Sequence, residues 1–340
     1  MHSLITDFFN YKTMQELYPL KFQPIYKEKI WGGNKIAKIF ARKNLPAGKI
    51  GESWELSAVE GDESIVKNGY LEGNSLNELV EIYMGDIVGE RVYEKFGSEF
   101  PLLIKFIEAN DKLSLQVHPN DEVAMERHHS YGKTEMWYVL DSEPDAELVY
   151  GFNRPTSKDE FKEALESSNF NQLLNFEKTK TGDVFYIPAG KLHALGSGLM
   201  VVEIQQTSDI TYRVSDWGRK DEAGMSRELH VDLALDVIDY AGEKSGKVTY
   251  SKTKNQPSLL VESAYFKTNL LEFDQELAVD YNLIDSFVVY ICIKGTAFII
   301  QSSGKSTKIQ AGETILIPAD LRNFRLVPEK PCSLIETYLP

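Results

Sequence analysis

Short runs of β-branched, aromatic and aliphatic residues, separated by Gly, Pro, Asn and Asp, make up most of the chain. Runs of this length and composition are typical of β-strands. Few helical stretches lie between them, so the pattern predicts a mainly β fold with antiparallel sheets. The predicted strands cover residues 102–107, 113–118, 136–140, 183–187, 199–204, 286–293 and 314–317.

Helix signals occur at four places between the strands, and two of them have the spacing of a capping box, a serine followed three residues later by a glutamate. Helices at these places are expected to lie at the periphery of the sheets. The predicted helices begin near residue 13, after Ser75, after Ser157 and after Ser226, and the last of them covers residues 229–240.

A repeated motif indicates that the architecture occurs twice. Gly182-Asp-Val-Phe-Tyr-Ile-Pro188 is echoed by Gly312-Glu-Thr-Ile-Leu-Ile-Pro318. Each copy has a turn glycine, a strand and a proline that ends the strand, because proline cannot donate a ladder hydrogen bond. Chance recurrence of Gly-x5-Pro in a strand-rich chain is the alternative. The repeat favours two related β-barrels or jelly rolls.

A polar stretch over residues 242–255, rich in Lys, Ser and Gly, predicts the boundary between the two barrels. We expect residues 1–241 to form the first barrel, with N-terminal strands and peripheral helices. Residues 242–340 are expected to form a linker and the second barrel. Within the second barrel, alternation around Lys294-Gly295 predicts a hairpin.

Polar side chains alternate with apolar ones on two of the predicted strands. On the strand that ends near His118, alternation places Ser114, Gln116 and His118 on one face and the aliphatic residues on the other. On the next strand, Lys133 and Glu135 share a face. A polar face on a strand that is otherwise apolar needs a partner, and a metal ion or a ligand is one way to supply it.

A metal site is predicted from His118, Glu135 and His193, because inward positions of neighbouring strands converge in a small barrel. Gln116 either adds an amide oxygen to the metal or orients His118 from outside. The two imidazoles and one carboxylate suit zinc and ferrous iron equally. Taken singly, each histidine has a structural interpretation as a hydrogen-bonded core residue, and Glu135 has one as a salt bridge with Lys133.

A second cluster follows the predicted metal strands, where alternation directs Glu203 and Arg213 toward the same cavity. The planar guanidinium of Arg213 suits a phosphate or an enediolate oxygen, and Lys133 offers a second cation. The alternative is a structural ion pair of Arg213 with Glu203 or Asp209. His128 and His129 in a predicted polar loop, and His230 on a predicted helix, are excluded from the site.

The motifs resemble those of known families. Gly182-x5-Pro188-x-Gly190-x2-His193 is similar throughout to the second motif of the cupin superfamily. From about Phe22 to about Tyr240 the chain resembles class I mannose-6-phosphate isomerases of the short bacterial type. The segments that carry this resemblance are Ile30-Trp-Gly-Gly33, Gly51-Glu-Ser-Trp-Glu55, Leu113-Ser-Leu-Gln-Val-His-Pro-Asn-Asp121, Gly132-Lys-Thr-Glu-Met-Trp137 and Asp209-Ile-Thr-Tyr-Arg213.

The resemblance implies two cupin-type barrels, the second of them degenerate, and an isomerase that interconverts mannose 6-phosphate and fructose 6-phosphate through a cis-enediol. It also implies one Zn²⁺ per chain in the first barrel. Gly132 stands where some longer relatives have a histidine, so a histidine base is not available there. By position, the implied metal ligands are Gln116, His118, Glu135 and His193, the catalytic residues Arg213, Lys133 and Glu203, and the substrate-binding residues Trp31, Ser114, Lys133 and Arg213.

Two questions of chemistry stay open. Either Glu203 or Lys133 carries the proton between C1 and C2. Glu203 is the favoured carrier, because a carboxylate that is partly buried in a barrel is suited to accept and return a proton. The competing functions are an Fe(II) cupin dioxygenase, which uses the same ligand types, and a non-catalytic cupin that binds a sugar phosphate.

Charge and cysteine content narrow the function classes. The 340 residues include 37 Lys and Arg against 51 Asp and Glu, a net charge of −14 that disfavours nucleic acid and anionic membranes as partners. The sequence contains no long uncharged apolar run of the kind that predicts a membrane span. Cys292 and Cys332, the two cysteines, are too few for a disulfide framework, so a cytoplasmic location is expected. The oligomeric state is left open.

Overall fold

The computed structural model describes residues 16–43, 45–221, 223–243 and 245–340. Most of the helix signal near residue 13 lies outside these residues. Within them the chain is mainly β, with a few helices, which confirms the predicted fold class. In the described ranges, no helix combines the length and the apolar character needed to cross a membrane.

Seven strands lie on the seven predicted apolar runs, with ends that differ by at most about two residues, except that the strand predicted over 286–293 continues to Gln301. The first ten are β1 (Leu20–Lys21), β2 (Ile25–Gly33), β3 (Ile50–Leu56), β4 (Leu102–Ala109), β5 (Leu115–Val117), β6 (Glu135–Ser142), β7 (Glu147–Phe152), β8 (Leu174–Lys178), β9 (Val184–Ile187) and β10 (His193–Leu195). They are followed by β11 (Leu199–Gln206), β12 (Tyr212–Ser215), β13 (Pro257–Glu262), β14 (Lys267–Phe273), β15 (Leu277–Asp280), β16 (Val288–Gln301), β17 (Ser306–Gln310), β18 (Thr314–Ile317) and β19 (Asn323–Tyr338).

Short helices connect the strands, and local caps define where two of them begin. The Ser75 hydroxyl accepts from the Glu78 N–H, and the Glu78 carboxylate accepts from the Ser75 N–H, so the predicted capping box is complete. Ser157 caps its helix through the Glu160 N–H alone. The helices are α1 (Lys35–Ile39), α2 (Leu76–Tyr83), α3 (Gly85–Val88), α4 (Glu90–Phe96), α5 (Asp121–His128), α6 (Lys158–Glu166) and α7 (Val231–Val237), and Gly69–Leu71 and Phe170–Leu173 form 3₁₀ turns.

In the described part of the chain, antiparallel sheets are stacked in three layers. The inner sheet has the strand order β2-β3-β4-β11-β6-β9, and the outer sheet has the order β12-β5-β10-β7-β8. The C-terminal sheet has the order β1-β18-β16-β19-β14-β13, with β15 added to β19 and β17 added to β16. Pairing is antiparallel throughout these sheets, which lets hairpins and short loops join the strands.

Both faces of the inner sheet are covered. On one face, Trp137 and Val139 pack with Leu148 and Leu195 of the outer sheet. On the other face, Phe106 belongs to the large core that also contains residues of the C-terminal sheet. Every residue of β4 and β11 is therefore buried, which explains why these strands are almost continuous apolar runs in the sequence.

The C-terminal sheet repeats the strand order of the inner sheet, as the echoed motif predicted. The order β13-β14-β19-β16-β18 matches β3-β4-β11-β6-β9. Gly182 and Gly312 precede β9 and β18 with φ of 90° and 83°, a conformation that favours glycine. The domain limits at residues 241 and 242 stay a prediction. Strand β1, from the start of the described chain, pairs with β18 of the C-terminal sheet.

Two local predictions were wrong. The chain does not turn at Lys294-Gly295, because β16 continues through this pair with register shifts against β19 and bends there instead. The turn follows Gln301. The last predicted helix does not begin after Ser226. It begins at Val231, because the His230 N–H donates to the Arg213 carbonyl at 2.7 Å and so takes no part in a helix before that residue.

Candidate metal and substrate site

Three neighbouring strands of the outer sheet present one row of polar side chains. Gln116 on β5 lies directly opposite His193 on β10 and Arg213 on β12. Residues directly opposite one another in an antiparallel pair project from the same face. His118 comes two residues after Gln116, so it continues this row.

The inner sheet carries a second row that faces the first. Glu203 on β11 lies opposite Lys105 on β4 and Trp137 on β6. Lys105 Nζ donates to Glu203 Oε1 at 3.1 Å, and Trp137 Nε1 donates to Glu203 Oε2 at 2.8 Å. Both carboxylate oxygens of Glu203 are therefore hydrogen-bonded. Glu135, two residues before Trp137, projects from the same face toward the outer sheet.

The two rows bring His118, Glu135 and His193 together. All three side chains are buried, and one ligand atom of each lies within 4.8 Å of those of the other two. His193 Nε2 is 3.2 Å from Glu135 Oε1, and His118 Nε2 is 3.5 Å from Glu135 Oε2. The edge of the Trp137 ring packs against the His193 imidazole. The cluster combines two imidazoles and one carboxylate, ligands that suit a transition metal.

Backbone carbonyls determine which ring nitrogen of each histidine faces the cluster. His118 Nδ1 donates to the Ile210 carbonyl at 2.9 Å, and His193 Nδ1 donates to the Lys191 carbonyl at 2.7 Å. Each neutral ring therefore directs its Nε2 lone pair toward Glu135. Among the described residues, Glu135 Oε1 has no hydrogen-bond donor although His193 Nε2 is close. Imidazole and carboxylate lone pairs that face one another fit a shared metal ion.

Lys133 lies against this cluster. Its ammonium group donates to His118 Nε2 at 3.0 Å and forms a close ion pair with Glu135 Oε2. Burial, followed by the positive charge of Lys133, holds the pKa of His118 well below its usual range. Burial alone would raise the pKa of Glu135, but Lys133 and the two histidines hold it well below its usual range. His118 is therefore neutral and Glu135 ionised, which are the forms that bind metals.

Gln116 is oriented differently from a metal ligand. Its Nε2 lies 3.3 Å from His193 Nε2, and its Oε1 accepts from the Ser114 hydroxyl at 3.3 Å. An amide binds a metal through its oxygen, so Gln116 must rotate its amide by half a turn to become a ligand. Gln116 thus contacts His193 rather than His118, the histidine that the alternative named, and Gln116 as a ligand stays a prediction.

A cavity of about 390 Å³ lies beside the cluster, and the residues predicted to bind substrate line it. Lys133, Glu203 and Arg213 form part of its wall, with Trp31 and Ser114. The cavity is large enough for a ligand of the size of a phosphorylated hexose. The structure thus brings the predicted catalytic and substrate-binding residues to one space, next to the three metal-competent side chains.

Arg213 has no ion pair with Glu203 or Asp209 among the described residues, so its structural alternative is not observed. Its Nη1 donates to the Glu228 carbonyl at 2.7 Å. Its Nε is buried and has no acceptor in the described chain. Burial, followed by the nearby Arg227, lowers the pKa of Arg213 from its usual value, although an arginine stays charged at neutral pH. A buried guanidinium N–H without an acceptor can accommodate an anionic ligand.

Several charged residues of the cavity were missed by sequence reasoning. The cations are Lys27, Lys29, Lys105 and Arg227, and the acids are Glu52, Asp62 and Asp209. Lys105 had a usable signal, because it is a charged residue within an apolar strand. Glu52 accepts from Trp54 Nε1 at 2.7 Å and pairs with Lys29 at 3.2 Å. Burial alone would raise the pKa of Glu52, but Lys105 and Lys29 lower it overall.

The three excluded histidines lie outside the cluster, but their surroundings differ from the prediction. His128 ends helix α5, and its Nε2 is hydrogen-bonded to the Tyr212 hydroxyl at 2.7 Å. His129 is the left-handed C-cap of the same helix, and His230 is the N-cap of α7. The predicted loop is a helix because the Asn120 side chain caps its first turn, a signal that sequence reasoning overlooked.

Comparison with known proteins identifies the family. The sequence model of the phosphomannose isomerase type I catalytic domain matches residues 19–153. Mannose-6-phosphate isomerase ManA of Bacillus subtilis is 35% identical over 321 residues, which cover 92% of this chain and 97% of the relative. The chain belongs to the type I phosphomannose isomerase family. A mannose-6-phosphate isomerase of Streptococcus mutans is 38% identical over 253 residues, 73% of this chain and 77% of that relative.

Comparison with a solved structure shows that the family fold extends over nearly the whole chain. The crystal structure of the mannose 6-phosphate isomerase from Bacillus subtilis superposes with a TM-score of 0.85 at 32% identity. The match covers 94% of this chain and 99% of that one. The mainly β fold class and the enzyme class that the resemblance implied are thereby confirmed.

Proposed function

We propose that this enzyme interconverts mannose 6-phosphate and fructose 6-phosphate through a cis-enediol, with one zinc ion per chain. The observation that carries the proposal is the position of the buried His118, Glu135 and His193 beside a cavity whose wall includes Lys133 and Arg213. An aldose–ketose isomerase needs an electrophile for the developing oxyanion, a proton carrier and an anchor for the phosphate. This cavity offers residues for all three requirements.

The residues that would hold the metal are His118, Glu135 and His193, joined by Gln116 after its amide turns. A zinc ion bound there supplies an electrophile for the two sugar oxygens. The unsatisfied Glu135 Oε1 and the two inward Nε2 lone pairs support this assignment. The ligand types alone accept both zinc and iron. Zinc is proposed because the resemblance to the family implies it.

Substrate binding is proposed to rest on the cations of the cavity. Arg213, with its buried and unsatisfied Nε, is suited to a phosphate or an enediolate oxygen, and Lys133 supplies a second positive charge. Lys27, Lys29 and Arg227 line the same cavity. Six cations and four acids line the cavity, so its local excess of positive charge attracts a dianionic sugar phosphate although the whole chain carries a net charge of −14.

Glu203 is proposed as the group that carries the proton between C1 and C2, with Lys133 as the alternative. Glu203 lies in the cavity wall, and its two hydrogen bonds, from Lys105 and Trp137, fix the direction of its carboxylate. A fixed carboxylate within reach of the substrate is an effective general base. Lys133 is the less favoured carrier, because it already donates to His118 and Glu135.

Glu203→Gln tests this assignment, and the chain offers a matched control. Removal of an acid–base group typically lowers turnover by about 10² or more, with metal content unchanged. Glu52 lines the same cavity and also accepts from a tryptophan Nε1 and pairs with a lysine, so Glu52→Gln changes a carboxylate in similar surroundings. We expect Glu52→Gln to lower turnover less than tenfold. Near-normal turnover in Glu203→Gln moves the assignment to Lys133.

The overall function is tested by a coupled assay of the conversion of mannose 6-phosphate to fructose 6-phosphate. We expect activity that is lost with a strong chelator and restored by added zinc. His193→Asn is expected to abolish both bound metal and activity. Iron in the purified protein together with oxygen consumption supports the dioxygenase instead, and sugar-phosphate binding without proton exchange at C2 supports a non-catalytic cupin.

The partner and location predictions follow the same chemistry. The proposed partner is a small sugar phosphate, and a cytoplasmic location is proposed because sugar phosphates and free thiols belong to a reducing interior. Cys292 and Cys332 are buried and free, which supports this location. Measurement of the mass of the protein in solution will give the oligomeric state.

A further inference from the structure

A buried lysine that takes no part in the proposed chemistry lies next to the metal cluster. Lys191 is 2% exposed, and its Nζ contacts Asp239 at 2.9 Å and Glu243 at 2.6 Å. The ring of Tyr150 lies 5.5 Å from the same ammonium group. Lysine is almost never buried this completely unless it is paired, so the two carboxylates hold Lys191 in place.

The main chain around Lys191 contacts both proposed histidine ligands. The Lys191 carbonyl accepts the Nδ1 proton of His193 at 2.7 Å, the bond that turns His193 Nε2 toward Glu135. The neighbouring Gly190 N–H donates to the His118 carbonyl at 2.9 Å. The position of this short segment therefore affects the distance between the two imidazoles.

Residues 239–243, called the strap below, hold the segment from outside the barrel strands. The Asp239 N–H donates to the Gly190 carbonyl at 2.7 Å, and the Glu243 N–H donates to the Phe152 carbonyl at 3.1 Å. The Asp239 and Glu243 side chains complete the attachment through Lys191. Gly190 has φ of 84°, and a Cβ there would lie 2.9 Å from the Val237 carbonyl oxygen, so the fit just before the strap is tight.

We propose that Lys191, held by Asp239 and Glu243, is a positioning residue for the metal ligand His193. This inference rests on the metal site of the proposed function. Lys191 does not touch the metal and acts through its carbonyl, which fixes the ring and tautomer of His193. Loss of a group that orients a metal-ligating histidine typically weakens metal binding by 10-fold to 100-fold. Lys191→Met keeps this carbonyl but removes the side chain that holds it in place, so we expect zinc binding to weaken by about tenfold, the lower end of that range.

The experiment measures zinc affinity of the full chain after metal removal, by competition with a chromogenic chelator. We expect Lys191→Met to fold, because the two carboxylates are 46% and 36% exposed and can be hydrated once the Lys191 ammonium is gone. Glu243→Gln is a milder variant that keeps the lysine paired with Asp239, and it is expected to weaken zinc binding by a smaller factor. The control is Lys247→Met, which removes another lysine paired with a carboxylate, Asp183 at 2.8 Å.

The outcomes separate the inference from the proposed function. Weaker zinc binding in Lys191→Met and Glu243→Gln, with unchanged affinity in Lys247→Met, is the expected result. Wild-type zinc affinity in both Lys191→Met and Glu243→Gln overturns the inference alone, even where thermal unfolding of the metal-free protein shows lower stability. If Lys191→Met does not fold, Glu243→Gln decides by the same criterion. Absence of zinc binding in the wild type overturns the proposed function and this inference together.

Discussion

Lys105 is the buried charge that holds the carboxylate of Glu203 in the cavity wall. It is 6% exposed, and its Nζ donates to Glu203 at 3.1 Å and to the Gln205 side-chain carbonyl at 2.6 Å. Burial by itself lowers the pKa of Lys105, but Glu203 and Glu52 more than offset this, and the net pKa is raised. Because its pKa is raised in the fold, protonated Lys105 contributes fully to stability below about pH 10, near the pKa of an unfolded lysine. This contribution is lost as pH rises through the pKa of Lys105 in the folded protein.

Lys105→Met removes this charge and leaves Glu203, which is 3% exposed, with Trp137 as its remaining donor. Loss of one partner of a buried ion pair costs about 3–5 kcal/mol of unfolding free energy, because the other charge stays buried. The polar cavity beside Glu203 admits water, so we expect a value near the lower limit, about 3 kcal/mol. Glu203→Gln in the Lys105→Met background removes the stranded charge and should recover about 2 kcal/mol.

The assay is urea unfolding of the wild type, both single variants and the double variant, in excess chelator so that bound metal does not contribute. The four unfolding free energies form a double-mutant cycle. A coupling energy of about 2 kcal/mol or more between Lys105 and Glu203 is expected at neutral pH. A coupling below about 0.5 kcal/mol would refute the reasoning, because the two groups then do not depend on one another for burial.

Three further variants test other parts of the structure. The pKa of Glu52 is lowered in the fold, so its stabilisation is present above about pH 4.3 and lost as pH falls. Glu52→Gln should therefore be less stable by about 1 kcal/mol at pH 7, with the difference from wild type shrinking toward pH 3 in thermal unfolding. Phe287→Ala removes a fully buried ring that lies tilted against Phe100, with the ring centroids 4.3 Å apart, and should cost about 3–5 kcal/mol in urea unfolding; a loss under 1 kcal/mol contradicts that packing. Ser75→Ala should cost about 1 kcal/mol through the lost capping box and leave turnover unchanged, so a fall in turnover contradicts a purely local role.

Several strands were predictable because burial determines which of their positions are apolar, and this pattern is visible along the chain. Strands buried on both faces, such as β11, are mainly apolar in sequence, and the strand over 314–317 was predicted with its observed ends. Alternation also placed Lys133 and Glu135 on one face, where they are in contact. Local sequence carries this information, because the period of a strand needs no knowledge of its partners.

Other features depend on contacts between distant segments. Gly295 has the local pattern of a hairpin turn, and only the pairing of β16 with β19 makes it a bend within one strand. Arg227 and Lys29 reach the cavity from segments about 200 residues apart, so no spacing in the sequence relates them. The rotamer of Gln116 is set by Ser114 and His193, and its part in metal binding stays a prediction.

The repeated strand order gives the C-terminal barrel a counterpart of the cavity wall. Glu336 lies opposite Tyr290 and Asn269, at the places where Glu203 lies opposite Trp137 and Lys105. Asn269 donates to Glu336 Oε2 at 2.7 Å, much as Lys105 donates to Glu203.

The difference between the barrels lies in a few side chains. Val288 pairs with Ile317 at the place where Glu135 pairs with Ile187, so an aliphatic group replaces the metal-competent carboxylate. The Tyr281 hydroxyl is hydrogen-bonded to both Glu336 and Tyr290. In the first barrel the side chains around Glu203 therefore border a cavity that can admit a ligand. In the C-terminal barrel the Tyr281 side chain occupies the corresponding position and packs against the core, so this barrel contributes stability rather than a binding site.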